Sequence, residues 1–407
     1  MQEFYTVKDF DYSGKTVILR TDFNVPIVKG KITDQSRITR SMATIKYLIE
    51  HKAKVIVLSH FGRPKGKFNH DMSLAPIVDA VSAHLKGKEV QFAYDILSSK
   101  AKKQIASLKP GDVLIAENIR FHPEEETNSK DFAKQIANLG DYYINDAFSC
   151  SHRAHTSIDA ITEFLPSAAG LLHEEELTSL NKLIDYNKKI FAITGGAKIS
   201  SKISLLRQLV TKASSLAIGG AMANTFLKAK GFNVGSSLYE PDQINTAKEI
   251  LNLAIESKCK IILPFDVITS KNLNAINQKC RVVDGNKVLN KEMILDIGPQ
   301  TIIEITNNLL ESQIVIWNGP LGAFEHRPFD VGTAAVSRSI AKFTQQKKII
   351  SVAGGGDVVS AINQSGLEDS FSYISTGGGA FLEWLAGERM PGILALKKNY
   401  EKNRLSN

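Results

Sequence analysis

The chain has 407 residues, 43% of them apolar and 23% charged, which is the balance of a globular protein too long for one ordinary domain. No apolar run approaches membrane-spanning length. The 50 Lys and Arg against 42 Asp and Glu, +8 in net charge, are scattered and form no basic run with interleaved aromatics, so small anionic substrates suit the composition better than nucleic acid. The start, Met1-Gln2-Glu3-Phe4-Tyr5, has no apolar signal core, and Cys150, Cys259 and Cys280 have no metal-type spacing. Both point to a cytoplasmic protein with free thiols.

The first half alternates strand and helix. Candidate strands fall at 17–19, 55–58, 113–116 and 142–144, and residues 39–50, with Ile38 just before them, carry Met42, Ile45 and Leu48 or Ile49 at helical spacing. This alternation predicts a parallel sheet with helices on both faces, and ligands beyond the C-terminal strand ends. Arginines gather there. Arg20, Arg63, Arg120 and Arg153 each follow a candidate strand, and Arg37 and Arg40 lie in the segment after the first. A guanidinium fork grips phosphate or carboxylate through two parallel bonds; the alternative is a structural ion pair at the sheet edge. His60 and His152, beside Arg63 and Arg153, could add donors. Gly14-Lys15-Thr16 imitates the end of a phosphate-binding loop, but Asp9 stands where that loop needs glycine, and a strand follows rather than a helix. A G-x-G-x-x-G fingerprint is absent from the sequence, which disfavours a dinucleotide-binding dehydrogenase.

Around 172–187 the pattern changes. Leu177, Leu180, Leu183 and Ile184 form one apolar face of a helix, with Glu174-Glu175-Glu176 in its first turn, where acids suit the dipole. Its place between two strand series marks an interdomain helix over 173–187, dividing 1–172 from 188–392; a crossover helix of the first sheet is the alternative.

The second half repeats a strand, a glycine turn and a helix. Residues 190–193 run into Thr194-Gly195-Gly196-Ala197-Lys198, and 216–218 into Gly219-Gly220-Ala221. Residues 349–353 run into Gly354-Gly355-Gly356-Asp357, and 373–375 into Thr376-Gly377-Gly378-Gly379. Glycine lets backbone approach a ligand, and a helix N-terminus offers free N–H groups, so four such turns point to a ligand with several phosphates. Further strands are expected at 261–263 and 314–317. The latter leads into Trp317-Asn318-Gly319-Pro320-Leu321-Gly322-Ala323-Phe324-Glu325, an open loop in which Glu325 could accept ribose hydroxyls. Lys198 and Lys202, placed on the helix expected after Gly195-Gly196, would share a face and hold an anion. Asp357 is read either as a ligand for a hard cation such as Mg²⁺ or as an N-cap.

Nine short stretches run along nearly the whole chain. Those of the first half are Arg20-Thr21-Asp22-Phe23-Asn24-Val25-Pro26, Ser59-His60-Phe61-Gly62-Arg63-Pro64, Glu117-Asn118-Ile119-Arg120-Phe121, Asn145-Asp146-Ala147-Phe148 and His152-Arg153-Ala154-His155. Those of the second half are Gly195-Gly196-Ala197-Lys198, Trp317-Asn318-Gly319-Pro320, Gly354-Gly355-Gly356-Asp357 and Thr376-Gly377-Gly378-Gly379-Ala380. In sequence and in order they resemble the phosphoglycerate kinase family.

The resemblance implies an α/β fold of two doubly wound, Rossmann-like parallel-sheet domains joined by a hinge helix, with 393–407 returning to pack on the first. It implies reversible, in-line transfer of the acyl phosphate of 1,3-bisphosphoglycerate to MgADP, giving 3-phosphoglycerate and MgATP, with hinge closure. The expected setting is glycolysis and gluconeogenesis, in a cytoplasmic monomer that takes Mg²⁺ with ADP or ATP and binds neither nucleic acid nor membrane. By resemblance the phosphoglycerate site is Asp22, Phe23, Asn24, Arg37, His60, Phe61, Gly62, Arg63, Arg120 and Arg153. The nucleotide site is Gly195, Lys198, Lys202, Gly219, Gly220, Asn318, Glu325, Gly355, Gly356, Asp357 and Val358, with Asp357 on the metal. The transfer itself falls to Arg37, Lys198, Lys202, Gly356 and Gly377.

Departures from the family pattern are Val358 for the usual threonine, Ser201 for an aspartate found in some members, Ala221 for a third glycine, and Ser149-Cys150-Ser151. A threonine at 358 is expected to add one hydrogen bond to bound MgADP. The chemistry agrees with the resemblance. A carboxylate acceptor is ionised at neutral pH and needs no general base, and phosphoryl transfer needs alignment and charge neutralisation. Arg37 from the first domain and Lys198 and Lys202 from the second would supply that charge. A non-catalytic nucleotide- or anion-binding protein on the same fold is the alternative, and it need not keep both Arg37 and Lys202.

Overall fold

The computed structural model describes residues 3–28, 31–185, 187–274 and 280–405. The chain divides into two compact units, Met1–Thr178 with Arg389–Asn407, and Ser179–Glu388.

The first unit is built on a seven-stranded sheet. Its order is Tyr5–Thr6, Ser167–Ala169, Tyr142–Asn145, Thr16–Arg20, Lys54–Leu58, Val113–Ala116 and Val90–Ala93, with every pairing parallel. Strands covered on both faces read as continuous apolar runs, and Val17-Ile18-Leu19 is an example. Val17 and Leu19 pack with Ile45 and Leu48 of the helix Ser36–Glu50, while Ile18 packs into the opposite layer with Leu114, Phe132 and Tyr143. The sequence reading did not anticipate Tyr5–Thr6, Val90–Ala93 and Ser167–Ala169. The first and last have two and three residues, too short for a periodic signal. Register aligns Arg20 with Leu58 and with Asn145, so the residues after these strands lie along one edge. The helix Pro391–Arg404 completes this unit: Asn399 accepts from the Ser167 amide at 3.0 Å and donates to the Thr162 and Leu165 carbonyls at 2.6 and 2.9 Å.

The second unit has a six-stranded parallel sheet in the order Lys260–Ile262, Ser215–Ile218, Ile190–Thr194, Ile314–Asn318, Ile350–Gly354, Tyr373–Ser375. Phe191, Ile193, Val315, Trp317 and Ala353 bury one face against Val336 and Ile340 of the helix Val331–Gln345. An antiparallel sheet, Arg281–Asp284, Asp266–Ser270 and Met293–Ile297, was not legible in the sequence. Arg281–Asp284 is largely exposed, so it carries no buried stripe.

The helix Leu171–Leu183 crosses the division between the units and starts two residues before the expected 173. Leu177, Leu180 and Ile184 are buried, and Tyr186 of the expected hinge segment lies outside the described residues. Its start is fixed within the first unit. Asp146 Oδ1 accepts the amides of Leu172 and His173 at 2.9 and 3.1 Å, and Thr44 Oγ1 accepts that of Leu171 at 2.9 Å.

Candidate active site

In the first unit, the residues expected to bind a phosphoglycerate follow three adjacent strands and a helix start. Asp22 and Asn24 follow Thr16–Arg20, His60 and Gly62 follow Lys54–Leu58, Arg120 follows Val113–Ala116, and Arg37 sits in the first turn of Ser36–Glu50. Asp22 is the junction. Its Oδ1 accepts the Asn24 amide at 3.0 Å, and its Oδ2 accepts Arg37 at 2.8 Å and the Ser149 hydroxyl at 2.5 Å. Burial alone would raise this carboxyl; His60, Arg37, Ser149 and the Asn24 amide outweigh it and hold it at about 2. Asn24 Oδ1 accepts the Gly62 amide at 3.0 Å, and Arg120 donates to the Gly62 carbonyl at 2.9 Å. His60 is pushed well below its ordinary value by burial, reinforced by Arg20, Arg120 and Arg37 against the pull of Asp22. It is therefore neutral at pH 7. His152 is likewise lowered, to about 4, by burial and by Arg153, whose Nε lies 2.9 Å from its Nε2.

The remaining expected residues fall in different places. Phe23 is fully buried in the core, with its amide on the Ser59 hydroxyl at 2.8 Å. Phe61 is half-buried, and its carbonyl takes the Asn118 amide group at 2.6 Å. Arg63 is exposed on the loop after His60. Arg20, grouped with the strand-end arginines by sequence, is completely buried and does not face solvent. It bonds Ser157 Oγ at 2.8 Å, the Thr21 carbonyl and His60 Nδ1 at 3.3 Å, so it is held inside the protein by hydrogen bonds to these groups, which is neither the anion grip nor the sheet-edge ion pair weighed for it.

In the second unit, parallel pairing puts Thr194, Ile218, Asn318, Gly354 and Ser375 at one edge of the sheet. Three of the four glycine turns lead straight into helices: Gly220–Ala229, Gly356–Gln364 and Gly379–Leu385. The turn at Gly195-Gly196 does not. Residues 195–202 form a loop, and the helix starts at Ile203 with Lys202 just before it. The expected shared helical face of Lys198 and Lys202 is therefore wrong. Ser200 and Ser201 explain the delay: Ser200 bonds the Glu240 carboxylate through its amide and hydroxyl at 3.1 and 2.6 Å, and Ser201 bonds the Lys198 carbonyl at 3.0 Å.

Lys202 turns back into the strand ends. Its Nζ donates to the Gly195 carbonyl at 2.6 Å and to Asn318 Oδ1 at 2.5 Å, while Asn318 Nδ2 donates to the Gly354 carbonyl at 2.5 Å. Burial lowers the Lys202 ammonium to about 8, against the opposing pull of Asp357. Lys198 is exposed. A Cβ on Gly195 would stand 1.8 Å from the Pro320 carbonyl oxygen, and one on Gly355, where φ is +106°, would stand 2.3 Å from Asn318 Nδ2. Only glycine lets these chain segments meet.

A cleft of about 380 Å³ opens beside this edge, lined by Gly196, Gly220, Leu295, Pro320, Glu325 and Asp357 among others. Glu325 and Asp357 are exposed in it. Asp357 is the second residue of Gly356–Gln364, so the N-cap reading fails; Gly355 holds that position. The first N–H groups of this helix have no helical partner, which makes the mouth of the turn receptive to anions. The Val358 side chain is fully buried in the core, leaving only its backbone amide at that end. Gly219 is buried at the turn before Gly220, and the Gly377 amide is engaged by Ser375 Oγ at 3.0 Å.

Residues 7–388 match the family model "Phosphoglycerate kinase". The chain is 47% identical over 402 residues to a phosphoglycerate kinase of Orientia tsutsugamushi strain Boryong, covering 98% of this chain and 99% of that one. The chain belongs to the phosphoglycerate kinase family. A phosphoglycerate kinase of Rhodospirillum centenum is 48% identical over 394 residues, covering 97% of this chain and 99% of that one. The solved structure of the family member from Coxiella burnetii, 37% identical, superposes with a TM-score of 0.87 over 98% of this chain and 100% of that one. The one from Pyrococcus horikoshii, 30% identical, gives 0.84 over the same shares. Members of this family are phosphotransferases, and the two parallel-sheet units are their fold.

Two features of the site escaped the sequence reading. Ser149 was noted only as a departure, although it bonds Asp22; its place in the turn after Tyr142–Asn145 was the available signal. The wall formed by Met293–Ile297 escaped because the antiparallel sheet did.

Proposed function

We propose that the chain catalyses reversible transfer of the acyl phosphate of 1,3-bisphosphoglycerate to MgADP. The observation that carries this reading is the family match over 7–388 together with retention of both Arg37 and Lys202, which a binding protein need not keep. The distal phosphate would be held by Arg63, Arg120 and Arg153, and the glycerate by Asp22, Asn24 and His60. Neutral His60 donates or accepts a hydrogen bond without adding charge. The nucleotide would lie along the glycine turns, its phosphates on the helix N-terminus at Gly356–Val358 and its ribose near Glu325. Arg37 and Lys202, with Lys198, would neutralise the moving phosphoryl group.

Among the described residues no cluster of three metal-ligating side chains occurs. Mg²⁺ suits such a site, because it binds through one or two carboxylates, phosphates and water. Asp357, exposed in the cleft, would be its protein ligand, and the ion would supply charge neutralisation between the nucleotide phosphates. The acceptor carboxylate needs no base. Arg37 and Lys202 belong to different units, so transfer requires both to reach one phosphoryl group, and hinge closure about the helix Leu171–Leu183 would bring this about. A cytoplasmic monomer is the proposed working form. A coupled assay for ATP formation from ADP and 1,3-bisphosphoglycerate tests the reading; no ATP above the uncatalysed rate would sink it.

A further inference from the structure

Ser149 lies between two anchors. Phe148 and Cys150, on either side of it in a short 3₁₀ turn, are 2% and 3% exposed, so the backbone there is fixed by packing. Its hydroxyl points to Asp22 Oδ2, the same oxygen that receives the Arg37 guanidinium. The other Asp22 oxygen is occupied by the Asn24 amide. Of the two donors to Oδ2, Arg37 makes the longer contact, 2.8 Å against 2.5 Å for Ser149. Its side chain is 34% exposed, and its further bond is to the Asn24 carbonyl at 3.2 Å.

A buried carboxylate oxygen left without a donor is costly. An arginine that must reach a moving phosphoryl group has to give up part of its hold on Asp22, whose side chain is 9% exposed. We propose that Ser149 is a positioning residue for Arg37: its hydroxyl keeps Asp22 Oδ2 satisfied when the guanidinium turns from that oxygen to the phosphoryl group. The two donors share one acceptor, so the serine also weakens the grip of Asp22 on Arg37 before the turn. Ser149 touches no reacting atom. His60 cannot replace it, because its ring stands 3.8 Å from the other oxygen, Oδ1. The inference rests on the phosphoryl-transfer reading above and adds to it a residue that departs from the family pattern.

The test is steady-state kinetics on the full chain, in the direction of ATP consumption with 3-phosphoglycerate. Ser149→Ala is expected to lower kcat about five-fold, the worth of one ordinary hydrogen bond, with KM for 3-phosphoglycerate within about two-fold. Ser149→Thr keeps the hydroxyl and is expected to restore kcat. In an Arg37→Ala background, Ser149→Ala is expected to change kcat no further, because the group it positions is gone. A merely structural role would lower kcat equally in both backgrounds. If Ser149→Ala does not fold, Ser149→Thr against the equally shaped Ser149→Val makes the same comparison. Unchanged kcat in Ser149→Ala, or an equal loss in both backgrounds, overturns the inference while leaving the kinase reading intact. A parent protein without turnover overturns the kinase reading and the inference with it.

Discussion

Lys202 Nζ lies 2.5 Å from Asn318 Oδ1, and Asn318 in turn holds the Gly354 carbonyl. One ammonium is thereby tied to the ends of three neighbouring strands, Ile190–Thr194, Ile314–Asn318 and Ile350–Gly354. A charge placed on neutral acceptors rather than on a carboxylate stays available to an incoming anion. Its partners fix its position without cancelling it.

This placement has a pH signature. Burial holds Lys202 at about 8, below its usual 10.5. The free protein therefore loses this charge as pH rises through about 8, and kcat/KM for the nucleotide is expected to fall over that range. Bound phosphate favours the ammonium, so kcat is expected to persist to higher pH. Between about 8 and 10.5 the unfolded chain binds the extra proton, so the contribution of this group to stability rises with pH. Profiles of both kinetic parameters check the first two expectations, and superimposable ones would exclude Lys202 as the titrating group.

Arg37→Ala is expected to lower kcat by about 10²-fold or more, the scale of a lost electrostatic stabiliser. MgADP binding, measured by calorimetry, is expected to stay within about two-fold, since the proposed nucleotide residues belong to the other unit. Arg37→Lys restores only part of the loss, because the fork is gone. Turnover within a few-fold of the parent would remove Arg37 from the transfer step.

Val358→Thr has a different expected outcome from the one the family comparison of sequences suggests. The side chain is fully buried in the core with Trp317, Val336 and Ile362, so an added hydroxyl enters an apolar layer rather than a phosphate site. Stability is expected to drop by about 1–3 kcal/mol, with MgADP affinity unchanged. Thermal unfolding and calorimetry on the same variant check both; tenfold tighter MgADP binding would mean that the side chain reaches the ligand.

The parallel sheets were legible because their strands are buried on both faces. Val17-Ile18-Leu19 and Ile314-Val315-Ile316 are unbroken apolar runs that local sequence announces. Arg281–Asp284, mostly exposed, announces nothing of the kind. Strand-end placement was legible for Arg120, which follows Val113–Ala116, whereas Asp22 and Asn24 were named only by the family motif they belong to. It failed where a side chain reverses direction. Nothing local distinguishes Arg20, which points into the protein, from Arg37, which keeps an exposed face. The loop at 195–202 failed for a related reason: two serines found partners distant in sequence or in the preceding turn, and those bonds outcompeted helix formation.

Closure is open to a direct measurement. In the proposed reaction Arg37 and Lys202 would act on one phosphoryl group, and water would have to be excluded from the acyl phosphate. Small-angle scattering is expected to give a smaller radius of gyration with 3-phosphoglycerate and a non-hydrolysable MgATP analogue together than with either alone. Identical curves for the free and doubly bound protein at saturation would rule the movement out.

The first unit is finished by the helix Pro391–Arg404, whose Asn399 secures Thr162, Leu165 and Ser167, while the second is the single uninterrupted run Ser179–Glu388. On the ribosome the order of completion is thus inverted. Domains fold as units while the chain emerges, and here the first unit lacks its closing helix until Pro391–Arg404 has been added, after the whole second unit. The surface around Ser167 stays uncovered through translation of the whole second unit. A chain truncated before Pro391 carries all of the second unit but leaves the first unsealed, exposed to chaperones and proteases.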